Sequence, residues 1–536
     1  MDSFDLVITG GRVIDGTGSP WYYADIGLRG DRITAVVRSN PGRPGPLVGR
    51  ARQVLDVQGL AVAPGFIDMH SHSDISILAY PTADSKVTQG VTTEIFGQCG
   101  YSAAPLTERS IGPVKAMIGT EDVAVDLDWQ SFAEHAARIE ARGTALNVAG
   151  LVGHGTVRMN VMGFEARRPS AEELDAMRTQ VVEAMKDGAF GLSTGLIYTP
   201  GSYSETPEVI ELARAAAEQG GIYFTHMRSE GRGLFKAVHE AITIGREARL
   251  PVEISHLKCS GPAQGSAPRL IETIQAARAE GIEVTADHYP YTAGATGLSA
   301  LLPPWAHEGG PAELRQRLLD PAARARMKAD MQGTLPGWDN DFATLPFSGV
   351  LIATCPDKSL EGRSVQDIAR DWGKDVYDAV FDILLISLAT GMVIFMMRDD
   401  DMRLLLTQEF VMVGSDTVSL ALGAEGRQHP RTYGTFPRVL GQCVRDDKLI
   451  SLEQAVRKMT GSPAAKLGLK DRGLLREGLA ADITIFDPAT IADQATYADP
   501  NQFAAGVVHV LVNGRFTLKD GRPTGALPGR FLRRNS

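Results

Sequence analysis

Hydrophobic positions along the chain follow two rhythms. In residues 4–62 they form short runs broken by glycine turns: Leu6-Val7-Ile8-Thr9, Arg12-Val13-Ile14-Asp15, Ala24-Asp25-Ile26-Gly27-Leu28 and Ile33-Thr34-Ala35-Val36-Val37. Short β-branched runs bounded by turn residues predict strands. The other end repeats the style in Ala481-Asp482-Ile483-Thr484-Ile485-Phe486 and in residues 507–514. Two strand-rich ends predict that residues 1–62 and 467–536 meet in one small β-sandwich domain, with residues 63–466 inserted between them.

The interior alternates apolar runs with amphipathic stretches. Residues 147–152, 191–194, 222–225, 252–255 and 283–286 read as buried strands, and 171–187 and 208–219 as helices between them. Ser170 followed by Glu173 has the spacing of a helix N-cap and capping box. Such alternation means βαβ units and a parallel sheet, and eight repeats close it, so residues 63–466 are expected to form an α/β fold of (β/α)8 TIM-like barrel type. Residues 292–353, rich in proline and tryptophan and with a basic helix expected over 315–328, break the rhythm and are expected to form an inserted, lid-like segment. Residues 379–397 are almost uncharged and near the roughly 20 residues of a membrane span. Asp382 lies inside them and Gly391 divides them, so a buried helix followed by a buried barrel strand is expected instead.

Composition narrows the class. A chain of 536 residues exceeds one ordinary domain, and 43% hydrophobic with 22% charged residues allows a full core. A formal net charge of −10 argues against a nucleic-acid partner, which calls for clustered Lys and Arg. The four cysteines, Cys99, Cys259, Cys355 and Cys443, show no disulfide-framework spacing, and the acidic N-terminus lacks the basic start of a secretory signal. A cytoplasmic protein acting on a small molecule, with no membrane partner, is expected; a homo-oligomer stays open.

The chemistry sits where apolar runs end. His70-Ser71-His72 closes the run Leu60-Ala61-Val62-Ala63-Pro64-Gly65-Phe66-Ile67-Asp68-Met69. Residues two apart on a strand share a face, so His-x-His presents two imidazoles side by side. Cys99 follows Val91-Thr92-Thr93-Glu94-Ile95-Phe96, His226 follows Ile222-Tyr223-Phe224-Thr225, and His256 follows Val252-Glu253-Ile254-Ser255. Asp416 comes after Val411-Met412-Val413, where it suits either a turn or a carboxylate facing a metal. Imidazole and thiol donors from several strand ends, with one late carboxylate, suit a metal-dependent hydrolase. His154 and His288 also lie near strand ends and are expected in structural hydrogen bonds. Asp399-Asp400-Asp401 is expected to cap a helix over 402–407.

These segments also carry a likeness. Residues 64–72, Gly97-Gln98-Cys99-Gly100, Thr225-His226-Met227-Arg228-Ser229-Glu230, Ser255-His256-Leu257-Lys258, Gly414-Ser415-Asp416 and residues 429–440 together resemble the N-acyl-D-amino-acid deacylases (D-aminoacylases) of the amidohydrolase superfamily. The resemblance implies one zinc held by Cys99, His226 and His256, with His70 and His72 at or beside a second, weaker metal position. It implies Asp416 as catalytic acid and base, and Lys258, Tyr289, Arg431 and Tyr198 as residues around the substrate carboxylate. Guanidinium can grip a carboxylate through two parallel bonds, which suits Arg431. The loop Thr417–Gln428 has no histidine and one acid, Glu425, where the family often has a stretch rich in both, leaving the side-chain pocket open. Gly191-Leu192-Ser193-Thr194-Gly195 holds no lysine to bridge two metals, as cyclic-amide hydrolases use. Hydrolysis of a cyclic imide, dipeptide or aryl amide on the same centre is the alternative; an inactive oligomeric scaffold is a more distant one.

Overall fold

The computed structural model describes residues 3–40, 42–43, 45–118, 125–333, 335, 338, 340, 343–421, 423–424 and 426–534, so Met1, Asp2, Leu422 and Glu425 lie outside the described residues. The apolar run leading to His70 is two strands in two sheets, not one. Ala61–Pro64 pairs antiparallel with Ile483–Phe486, whereas Phe66–Asp68 pairs parallel with Val91–Phe96. Gly65 marks the crossing: a Cβ there would lie 2.1 Å from Thr92 Oγ1, so only glycine allows the approach.

Strands from both chain ends share one ten-stranded sheet, with Arg12–Val13 bonded to Tyr22–Arg29 on one side and to Ala61–Pro64 on the other. Its buried face carries Leu6, Ile8, Ile26, Ile33, Val62, Ile483, Ile485 and Leu511. The alternation read from the sequence puts these side chains on one surface. The C-terminal residues leave that sheet, which corrects the expectation that all of 467–536 stays with it. Leu532 N–H donates to Val148 O at 2.7 Å, and Phe531 packs edge-on against Phe132. That return covers apolar surface beside the parallel strand Asn147–Gly150.

The interior is α/β. Phe66–Asp68, Val91–Phe96 and Asn147–Gly150 form a parallel three-stranded sheet, and Val152–Gly153, Gly191–Gly195, Ile222–His226, Val252–Ile254, Val284–His288 and Val411–Val413 a six-stranded parallel one. Their edges touch at both ends. Phe190 N–H donates to Gly150 O at 2.9 Å on one side, and Met69 N–H to Val413 O at 3.3 Å on the other. The helix Ala171–Lys186 begins with the capping box expected from Ser170 and Glu173.

Between His288 and Asp399 the parallel rhythm stops. Ala293–Gly297, Val350–Thr354 and Gly391–Phe395 form an antiparallel three-stranded sheet packed on Val376–Ile386 and neighbouring helices. Two expectations are thereby corrected. Gly391–Phe395 is not a barrel strand, and the inserted segment runs on well beyond residue 353. An apolar strand of five residues reads alike in parallel and antiparallel sheets, so periodicity could not separate them. The basic helix expected over 315–328 is two helices, Pro311–Leu319 and Pro321–Gln332, divided at Asp320, which caps the second. The three aspartates form the first turn of Asp399–Thr407 rather than preceding it, and Asp401 accepts instead from Gly265 N–H at 2.6 Å and Ala267 N–H at 3.2 Å. Among the described residues, no helix is long and apolar enough to cross a membrane.

Candidate metal centre

Each donor is delivered by the end of a parallel strand. His70 and His72 follow Phe66–Asp68, Cys99 follows Val91–Phe96, His226 ends Ile222–His226, and His256 follows Val252–Ile254. Asp416 lies three residues past Val411–Val413. Cys99, His256 and Asp416 all have left-handed backbone, with φ of 54°, 36° and 52°. Non-glycine residues hold such angles only where surrounding contacts over-determine them, and they gather at functional sites.

The donors converge. Cys99 Sγ lies 3.4 Å from His70 Nε2 and 3.4 Å from His256 Nε2. Asp416 Oδ1 lies 3.1 Å from His72 Nε2 and 3.5 Å from His70 Nε2, so both imidazoles of His-x-His meet one carboxylate oxygen. His226 and His256 rings pack edge to face with centroids 4.3 Å apart, and Glu230 stands 3.9 Å from His226 Nε2. Among the described residues, three groups could each enclose an ion: His70, Cys99 and His256; His70, His72 and Asp416; and His226, Glu230 and His256, each with donor atoms within 4.8 Å of one another.

Electrostatics at this centre favours added positive charge. Burial pushes the Cys99 thiol up, but His70 and His256 beside it hold it well below its ordinary value. Burial pushes the His72 imidazole down, yet Asp416 and Cys99 carry it up to about 9. Burial likewise raises Asp416, and Arg431 with His70 outweighs it, leaving the carboxyl well below the usual range. A buried anionic set that draws protons onto imidazoles is one that a divalent cation satisfies equally well. Among the described residues, the buried ring nitrogens of His226 have no hydrogen-bond partner, which suits a metal ligand. The residues fit a zinc ion by donor type.

Two contributors were missed by the sequence reading. Glu230, already inside the segment that drew attention to His226, accepts from Lys258 Nζ at 2.6 Å and lies 3.0 Å from His256 Nδ1. Asp287, at the end of Val284–His288, contacts His70 Nδ1 at 3.2 Å and accepts from His256 N–H at 2.8 Å. Each fixes an imidazole through its outward nitrogen or its backbone. Their signals were a carboxylate four residues after a candidate ligand and an Asp-His pair closing an apolar strand.

The expected substrate residues surround the same cavity, of about 700 Å³. Arg431 Nη1 pairs with Asp416 Oδ2 at 2.8 Å, and its guanidinium lies 4.6 Å over the Tyr289 ring. Lys258 is buried between Glu230 and His256 rather than open to the cavity as a lone cation. Tyr198 OH bonds Thr296 Oγ1 of the inserted segment at 2.9 Å, and its ring meets His226. His154 lies apart, paired with Glu208 at 2.9 Å, in the structural role expected of it.

With this geometry, comparison with known proteins decides the family. An amidohydrolase family model matches residues 53–311 and 399–518. The D-aminoacylase of Alcaligenes xylosoxydans xylosoxydans is 39% identical, covering 99% of this chain and 98% of that protein. The chain belongs to the amidohydrolase family, in its D-aminoacylase branch. The N-acyl-D-glutamate deacylase of the same organism is 36% identical over 100% of this chain and 98% of that protein. A solved N-acyl-D-glutamate deacylase from Bordetella bronchiseptica, complexed with zinc and a phosphonate mimic of the tetrahedral intermediate, superposes with a TM-score of 0.83 at 34% identity, covering 99% of this chain and 100% of that one. Residues 312–398, between the two matched stretches of the family model, hold most of what lies between Gly297 and Asp399.

Proposed function

We propose that the protein is a zinc-dependent deacylase that hydrolyses the amide bond of N-acyl-D-amino acids to a carboxylate and a free amino acid. The observation that carries the reading is Asp416 Oδ1 within 3.5 Å of both His70 and His72, while Oδ2 pairs with Arg431 at 2.8 Å. One carboxylate thus joins the candidate metal donors to the candidate substrate grip. Cys99, His226 and His256 would hold one zinc, with His70, His72 and Asp416 available to a second, weaker ion. Zinc, when bound there, supplies Lewis acidity toward the amide carbonyl and toward a water.

Asp416 takes the proton released when water adds to the acyl carbon and passes it to the amide nitrogen as the C–N bond breaks. Its carboxyl, held low by Arg431 and His70, starts the cycle ionised. Arg431 and Tyr289 receive the substrate's α-carboxylate, with Lys258 adding positive charge from behind His256 and Tyr198 closing the side toward Thr296. Away from the donors the cavity is walled by Leu302, Leu388, Met392, Ile394, Met396 and Leu420. Lys358, a cation on this wall, is paired with Glu361 at 3.2 Å. An uncharged, apolar substrate side chain suits that wall better than an acidic one.

The parallel sheets, read as one, support a closed (β/α)8 barrel, with Asn147–Gly150 and Val152–Gly153 taken as a single strand. On it the inserted segment acts as the lid, and the ten-stranded sheet serves as the small domain of the two termini. All four cysteines are free and buried, in keeping with a cytoplasmic enzyme. The test is turnover of matched N-acetyl-D- and N-acetyl-L-amino acids by zinc-loaded protein. Hydrolysis confined to the D series and cut to a small but measurable residual rate in Asp416→Asn is expected. Cleavage of cyclic imides with none of acyl-amino acids would overturn the reading.

A further inference from the structure

Directly beneath His-x-His and Asp416 lies a fully buried cluster of charges that the reaction above does not use. Asp68 and Glu94 face each other in register on adjacent parallel strands. Both are fully buried, as is Lys86 from the short helix Asp84–Val87. Lys86 Nζ lies 2.6 Å from Asp68 Oδ2, 3.5 Å from Glu94 Oε2 and 2.7 Å from Ser415 Oγ. Like-charged carboxylates side by side without water are costly unless a cation and hydrogen bonds compensate them, so this cluster stands or falls together.

Its hydrogen bonds all lead to two segments, 70–73 and 415–419. Asp68 Oδ1 accepts from Ser415 N–H at 2.8 Å and from His70 N–H at 3.2 Å, and Asp68 Oδ2 accepts from Ser415 Oγ. Glu94 accepts from Ser71 Oγ at 2.8 Å, Ser73 Oγ at 3.0 Å and Ser419 Oγ at 3.0 Å. Ser419 N–H donates to Ser73 Oγ at 2.8 Å, and Asp416 N–H to His70 O at 2.8 Å. Two segments that carry His70, His72 and Asp416 are thereby fastened to each other through a rigid charged floor. Asp416 needs such fastening, because φ of 52° is an angle that an aspartate leaves readily when its neighbours are loosened.

We propose that Lys86, Asp68, Glu94 and Ser415 are positioning residues that hold the Asp416 turn at the distance from His70 and His72 that proton transfer requires. The inference rests on Asp416 being the proton carrier. Ser415 is the link: its hydroxyl accepts from Lys86 and donates to Asp68, and the next residue is Asp416. Misplacement of a reacting group by about 1 Å lowers rate by as much as about a hundredfold, so loosening this link should act on kcat.

The test compares Ser415→Ala, Lys86→Met and Lys86→Arg with wild type for kcat, KM, zinc per chain and melting temperature, and adds Ser415→Ala to Asp416→Asn. Expected is a fall in kcat of about tenfold to a hundredfold for Ser415→Ala, with KM within about twofold and zinc retained. Lys86→Arg should recover part of the rate lost in Lys86→Met. In the Asp416→Asn background, Ser415→Ala should change the residual rate no further, because the serine acts only through that aspartate. If Lys86→Met does not fold, Ser415→Ala and the double variant carry the test alone. Wild-type kcat in Ser415→Ala, a loss that tracks zinc or melting temperature instead, or an equal fall in the Asp416→Asn background would overturn the proposal. An active Asp416→Asn would instead overturn the assignment of Asp416 itself.

Discussion

Arg431 and Asp416 form a buried ion pair, Nη1 to Oδ2 at 2.8 Å, in which the expected substrate grip and the expected proton carrier hold each other. A substrate carboxylate arriving at Arg431 would draw on the guanidinium that keeps Asp416 ionised, so binding and proton transfer are coupled through one contact. Removing Arg431 leaves the buried carboxylate with only the imidazoles of His70 and His72 beside it.

Arg431→Ala is therefore expected to lower kcat/KM for N-acyl-D-amino acids by about a hundredfold or more. It should also slow a matched amide that lacks the α-carboxylate, because Asp416 loses its partner in either case. Steady-state kinetics on the two substrates check this: an effect limited to the carboxylate-bearing one would show that the ion pair matters only for binding.

Cys99→Ala should lose the tightly held zinc. Cys99 lies within 3.4 Å of both His70 and His256, and the remaining nitrogens lack a thiolate to close the set. Metal analysis after dialysis should give well under one zinc per chain, with activity falling in parallel; full zinc at full rate would remove Cys99 from the centre.

Glu230→Gln is expected to weaken zinc binding by about tenfold to a hundredfold while leaving the fold intact. The carboxylate lies 3.0 Å from His256 Nδ1 and neutralises Lys258. Without its charge the ammonium beside His256 opposes a cation at Nε2. Competition with a zinc chelator measures the change, and an unchanged affinity would contradict this role.

The burial of His135 and His307 should contribute stability that grows as pH rises from about 4 to 6.5. Burial pushes His135 down to about 4 from 6.5, with its ring stacked on Trp129 and Nε2 2.9 Å from Asp74 O. Burial pushes His307 down to about 4 as well. In that window the unfolded chain binds protons that the folded chain refuses. The contribution is complete above about pH 6.5 and is lost as pH falls toward 4, worth at most about 3 kcal/mol for His135. Urea unfolding midpoints from pH 4.5 to 7 should show a shallower dependence for His135→Gln than for wild type; identical slopes would mean that His135 titrates normally in the fold.

The donor residues were legible because each stands where a local hydrophobic run ends, and a parallel α/β fold brings such ends to one place. That rule picks out His70, His72, Cys99, His226, His256 and Asp416 as candidates, while their division between metal and proton came from the family resemblance. The capping box at Ser170 was legible for the same reason: its two bonds span three residues. Other features depend on partners distant along the chain, and local pattern carries no record of them. Gly65 divides one apolar run between two sheets only because Ile483–Phe486 waits on one side and Val91–Phe96 on the other. Gly391–Phe395 is antiparallel because Ala293–Gly297 and Val350–Thr354 flank it, although its composition suits a barrel strand. Glu230 and Asp287 acquire meaning through the imidazoles they face, and the left-handed backbone of Cys99, His256 and Asp416 through the contacts that hold it. The sequence by itself determined which atoms can bind and move protons, since that follows from side-chain chemistry and short-range periodicity. Tertiary structure alone decided which of them pair, because burial removes water and makes each charge depend on whatever neighbour the fold supplies.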